Sequence, residues 1–170
     1  EKFETAIPDH DLVTALLNCI DTAAQQKGIE WTEKYRHDYL KESIFVTALI
    51  FSKHAAIRSW ARTFLKANAL PETISNPVVG KSIAEMLGYI KQSPENEAIL
   101  NDAGGLLLEL FPAELKQLNI AVVADLLKHE NAVVLLFGLQ VLKIQKAQLD
   151  LGKLSKEFLR VPFKNMKQSE

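Results

Sequence analysis

The chain has 170 residues, a formal charge of −1 and 48% apolar residues, enough for one domain with a core of its own. A near-neutral balance gives no global attraction to nucleic acid or to an anionic membrane, and no apolar run approaches the ~18 residues that mark a transmembrane helix. No secretory pattern opens the sequence, and its single cysteine, Cys19, excludes an internal disulfide and suits a reducing compartment.

These features set the expectations of a cytoplasmic location and no membrane partner. The first residue is Glu1 and the last ten are mostly polar, which reads as a segment cut from a longer protein. The expected organisation is a single helical domain over 1–170.

After a lead-in over 1–8, Pro8 and Asp9 open a first helix, where a carboxylate at Asp9 or Asp11 can accept from free first-turn N–H groups. Leu12, Val13, Leu16, Leu17, Ile20 and Ala24 form one apolar stripe, and Gly28 is placed to end it as a C-cap glycine. Cys19, beside that stripe, reads as a small buried hydrophobe. A second helix is expected from Trp31 to Phe51, with Trp31, Tyr35 and Tyr39 four apart on one packing face.

Ser52-Lys53-His54 makes a turn before a third helix over 55–69, which sends Ile57, Trp60, Ala61, Phe64 and Leu65 inward. Arg58, Arg62 and Lys66 recur four apart on its opposite face. Pro71 and Pro77 are expected to bracket a loop. A fourth helix follows over 78–92 and a fifth over 95–110, started by Pro94. Gly104-Gly105 lies inside the fifth, where two glycines cost about 1 kcal/mol each. The apolar period runs through them, so a close approach of another backbone is expected there. Pro112 stops this helix, with a short turn over 113–118. A final hairpin spans 120–128 and 131–147, and a short helix over 153–160 is expected to cover its apolar face.

Three of these helices share one spacing. Ile57, Ala61 and Leu65 match Ile99, Ala103 and Leu107, and match Val134, Gly138 and Leu142, at intervals of 42 and 35 residues. The bulky ends fill the layer between helices and the small middle residue admits a neighbour, as in stacked helical hairpins. On these residues the chain resembles the HEAT-like and armadillo-like α-solenoid families, over roughly 40–147. The best matches are HAAIRSWARTFL at 54–65 and HENAVVLLFGLQVL at 129–142. Arg58 holds the family's arginine position, whereas Leu100 and Leu135 stand there in the other copies. The resemblance implies an all-α, right-handed superhelix of stacked antiparallel hairpins, about eight or nine helices in all, that presents an extended surface.

No chemical motif stands out. Gly80-Lys81-Ser82 resembles the end of a phosphate-binding loop, but Ser75 replaces the first glycine and no strand precedes it. His10, His37, His54 and His129 show no metal-ligand spacing, and His10-Asp11 is expected to diverge on its helix. No serine has a nucleophile-elbow context. No cofactor is expected. The reading is therefore a non-catalytic scaffold that binds another protein or other domains of its own chain, through a surface including Arg58, Arg62 and Lys66. The alternative is nucleic-acid binding, for which the basic residues Lys143, Lys146, Lys153, Lys156, Arg160, Lys164 and Lys167 are the best support. The third class is an enzyme on a helical-repeat frame, such as a base-excision glycosylase, seeded by Trp60 with Arg58 and Arg62.

Overall fold

A computed structural model describes residues 6–90, 93–146 and Lys156. The described residues form ten helices and no strand: α1 (His10–Leu17), α2 (Thr22–Lys34), α3 (Arg36–Tyr39), α4 (Ser43–Ile50), α5 (Ala55–Ala67), α6 (Glu72–Gly88), α7 (Pro94–Leu110), α8 (Pro112–Lys116), α9 (Ile120–Leu127) and α10 (Ala132–Gln145). The chain is all-α, as its periodicity requires. Two rows run through it. In one, α4 packs on α6 and α6 on α8; in the other, α5 packs on α7 and α7 on α10. Helices α4 and α7 touch across the rows, α1 and α2 add a hairpin against α4, and α9 pairs with α10. One apolar cluster runs from Val13 on α1 to Val141 on α10.

The shared spacing has the expected consequence. Ile57, Ala61, Leu65, Ile99, Ala103, Leu107 and Val134 are all buried, and Gly138 sits where α9 crosses α10. A Cβ added at Gly138 would stand 2.9 Å from Leu126 Cβ and 3.2 Å from the Leu126 backbone. The glycine pair on α7 serves two neighbours. Gly104 leaves room for the Phe137 ring on α10, 3.2 Å from the absent Cβ, and Gly105 faces the Arg62 guanidinium on α5 at 3.8 Å. These close approaches are made by side chains, where the sequence suggested a backbone.

Four boundaries differ from the sequence reading. The first stripe is broken after Leu17, because Asn18 caps α1 and Asp21 opens α2 by accepting from the Ala23 N–H. Ile20, between the caps, is 92% exposed. Gly28 consequently lies inside α2, not at a C-cap, and its missing side chain makes space for Leu17, whose Cγ stands 2.9 Å from an added Cβ.

The single helix expected over 31–51 is the end of α2, then α3 and α4. Neither Tyr35 nor Glu42 supplies a side-chain cap at these breaks, so nothing local announces them. Their product is the placement of Tyr39, which stacks on Phe45 at 5.0 Å and donates its hydroxyl to the Pro8 carbonyl at 2.7 Å. Burial raises the Tyr39 phenol above its ordinary pKa.

Finally, Pro77 does not end a loop: α6 runs through it from Glu72. Proline removes one helical hydrogen bond, but Ser75, Val78 and Val79 are buried on both sides of it. The Ser75 hydroxyl also donates to Glu114 on α8 at 2.5 Å, so tertiary anchoring holds the helix through the defect. The helix expected over 153–160 lies outside the described residues, apart from Lys156, which is helical.

The packing predicts opposite signs for one substitution. Gly138→Ala should destabilise by roughly 1–3 kcal/mol, because the added methyl meets backbone. Gly80→Ala, with nothing within 4 Å of the new Cβ, should stabilise by about 0.5–1 kcal/mol by removing a helix-interior glycine. Urea denaturation measures both; equal effects would mean that α9 and α10 do not cross at Gly138.

Candidate functional site

The charged residues of α5 do not stand on a free solvated face. Arg58 is only 6% exposed. Its Nη1 donates to the carbonyls of Ser52 and Lys53 at 2.8 and 3.0 Å, and its Nε donates to Asp102 at 2.7 Å. Both carbonyls lie just past α4, where the helix dipole places partial negative charge. Arg58 thus joins three helices, α4, α5 and α7, and the expectation that packing does not need it is corrected.

Arg62 donates from Nε to Glu109 at 2.7 Å, and Lys66 reaches the other oxygen of that carboxylate, also at 2.7 Å. Asp102 and Glu109, seven apart on α7, therefore answer the three cations of α5. Hydrogen bonds from Lys66 first and Arg62 second hold the Glu109 carboxyl below its usual pKa.

Two hollows flank α5. A small one, about 120 Å³, lies between α5 and α7 and is bordered by Ala55, Arg58, Ser59, Arg62, Asp102 and Leu106. The other, about 420 Å³ and open, lies between the α2–α3 break and the opposite flank of α5. Its floor is the Trp60–Phe64 pair, stacked at 5.1 Å with 20° between planes. Glu33 accepts from the Trp60 indole N–H at 3.1 Å. Arg36, at the start of α3, stands on its rim with no ion pair among the described residues. Because Trp60 faces one hollow and Arg58 and Arg62 the other, the constellation that suggested a glycosylase is not brought together.

The remaining sequence candidates have local roles. His54 and His129 occupy equivalent turns and make equivalent bonds: Nε2–H of His54 donates to the Asn18 carbonyl at the end of α1 at 3.2 Å, and that of His129 to the Leu87 carbonyl near the end of α6 at 3.1 Å. The Asn131 N–H donates to His129 Nδ1. Both rings thus act as staples on helix ends.

Gly80-Lys81-Ser82 lies in mid-α6, so its backbone N–H groups belong to the helix ladder and not to a phosphate cradle. Asp9, His10 and Asp11 do gather, with ligand-type atoms within 4.8 Å of one another, where divergence was expected. The reason is the cap of α1: Asp9 accepts from the Asp11 N–H at 2.7 Å, and chiefly this bond lowers its pKa. The basic residues after position 143 lie outside the described residues, except Lys146 and Lys156.

No family model, curated protein or solved structure matches the chain.

Two outcomes follow from the Arg58 network. Arg58→Ala should cost about 3–5 kcal/mol, the range for breaking a buried charge pair, while Asp102→Ala should cost less, because Asp102 is 52% exposed and Arg58 keeps its two carbonyls. Chemical denaturation of both variants checks the order.

Glu109 gives a pH signature. Its folded pKa is depressed, so its contribution is present above the unfolded carboxylate pKa and is lost as pH falls through the folded value. Glu109→Gln should therefore melt below the parent at neutral pH, and the two melting curves should converge on acidification.

Proposed function

We propose that the chain is a non-catalytic helical-repeat scaffold that binds another protein or other domains of its own chain. In this reading it is a right-handed stack of hairpins of the HEAT-like kind, and the two helical rows support it. The observation that carries the binding role is the open groove over Trp60 and Phe64. A stacked aromatic floor with an arginine on the rim that has no ion pair among the described residues has the composition of an interface hot spot, where Trp and Arg are enriched. Such a shallow trough suits a protruding side chain of a partner better than a small metabolite, which needs enclosure.

The cations first assigned to the surface enter differently. Lys66 and Arg62 keep exposed flanks, but they pair with Glu109 on α7 and do not line the groove. Arg58 is a structural residue, so reversing its charge would test folding and not binding.

Trp60→Ala should weaken capture of a partner by about 30-fold, the effect of a hot spot of ~2 kcal/mol. Ile44→Ala, at an exposed position on α4, should leave it unchanged. Quantitative pull-down with the parent and both variants reads this, beside titrations with duplex and single-stranded nucleic acid. Equal capture by Trp60→Ala, or salt-steep nucleic-acid binding that all three share, would overturn the groove.

A further inference from the structure

We propose that the small pocket between α5 and α7 binds a single tetrahedral oxyanion, a phosphate group. The pocket lies on the flank of α5 away from the Trp60 groove, so this inference does not rest on the protein-binding reading. Its volume, about 120 Å³, has room for a few waters and so for one phosphate.

Three donors border this space: the Arg58 and Arg62 guanidinium groups and the Ser59 hydroxyl. Arg58 uses Nε and Nη1 on Asp102 and the two carbonyls, which leaves Nη2 without a hydrogen bond among the described residues. Arg62 directs Nε and Nη2 to Glu109, which leaves Nη1 without a hydrogen bond among the described residues. Ser59 Oγ likewise has no hydrogen bond among the described residues. Donors without acceptors around one small, partly open pocket are what an oxyanion site consists of, and guanidinium forks match phosphate geometry.

At the pocket itself Arg58 is paired with Asp102 and Arg62 with Glu109, so the formal charges balance and the attraction comes from the guanidinium N–H groups that the carboxylates leave unused. The Asp102 carboxylate borders the pocket as well, but it is held against Arg58 Nε at 2.7 Å. Arg58 is the anchoring element, because its burial fixes the guanidinium before any ligand arrives and little side-chain entropy is lost on binding.

The same phosphate chemistry has two sources, the free ion and a phosphorylated serine or threonine of a peptide. The test is an NMR titration of the ¹⁵N-labelled full chain with inorganic phosphate, with chloride exchanged to hold ionic strength. The expected result is saturable movement of the Ala55, Ser59 and Arg62 signals with a Kd on the order of 1 mM or below. Arg62→Gln should weaken binding by at least about tenfold, the loss of one hydrogen bond to a charged group. It removes only an exposed ion pair, so the fold should survive, as circular dichroism will show.

Lys66→Gln is the control. It removes the same charge and releases the same Glu109, but Lys66 does not border the pocket, so phosphate affinity should change by less than about twofold. A phosphoserine tripeptide in the second arm separates the sources: tighter binding than inorganic phosphate assigns the pocket to a phosphorylated chain, and equal or weaker binding assigns it to the free ion. Non-saturating shifts, or an equal loss in Lys66→Gln and Arg62→Gln, would reduce the effect to diffuse electrostatics and overturn the site.

Discussion

Helix α7 must touch α5 on one side and α10 on the other, and this double contact is the constraint on which the rest of the molecule depends. On the α10 side a side chain at position 104 would crowd the Phe137 ring. Gly104 resolves this by giving up its side chain, at about 1 kcal/mol in helix propensity, and Phe137 packs 3.2 Å from the absent Cβ. Gly105 is not required in the same way, since an added Cβ would meet Arg62 at 3.8 Å, an ordinary contact distance. Ala103, fully buried beside them, completes a stretch where α7 offers almost no bulk. The apolar ends of the helix, Ile99, Leu106 and Leu107, fill the layers above and below.

A second device ties the helices at their ends. Arg58 donates to the carbonyls after α4, His54 to the carbonyl that caps α1, and His129 to a carbonyl in the last turn of α6. Each donor comes from a second helix or the turn before it, and each acceptor lies at or just past a helix end, where carbonyls lack an intrahelical partner. The bonds therefore satisfy orphan acceptors and fix the position of one hairpin against another in the same step. Apolar packing alone tolerates sliding; a directional bond to a particular carbonyl does not.

What could be read in the sequence follows from this division. The helices α5, α7 and α10 were legible because burial at four-residue steps writes itself as a pattern, and the small residue in the middle of each marks a close neighbour. The short helix α8 was legible from Pro112, the start of α7 from Pro94, and the cap at Asp9 from residue type. The end of α1 had a signal that apolar spacing masked, since Asn18 and Asp21 are a C-cap and an N-cap three residues apart. The break at Tyr35 had none, because no capping side chain makes it.

Pro77 was misread for the opposite reason. A strong local signal was overridden by the burial of Ser75, Val78 and Val79, which no local rule contains. The groove was illegible in principle, as Arg36 and Trp60 meet only through the fold. The ion pairs were not legible either, because Asp102 and Glu109 lie on α7 and only the fold sets them against the α5 cations.

That last point changes what α5 can do. A row of three cations on open helix would attract any polyanion, with little selectivity and strong dependence on salt. Paired across to α7, the same residues lose most of that long-range field and gain fixed geometry. Electrostatic reach is exchanged for short-range shape, a small pocket bordered by Arg58, Ser59 and Arg62 on one flank of α5. On the other flank no acid among the described residues answers Arg36, and the aromatic floor stays open. One thirteen-residue helix therefore offers two surfaces of different character. The difference arises from where the neighbouring helices place their carboxylates, since Glu33 takes the Trp60 indole while Asp102 and Glu109 take the guanidinium groups.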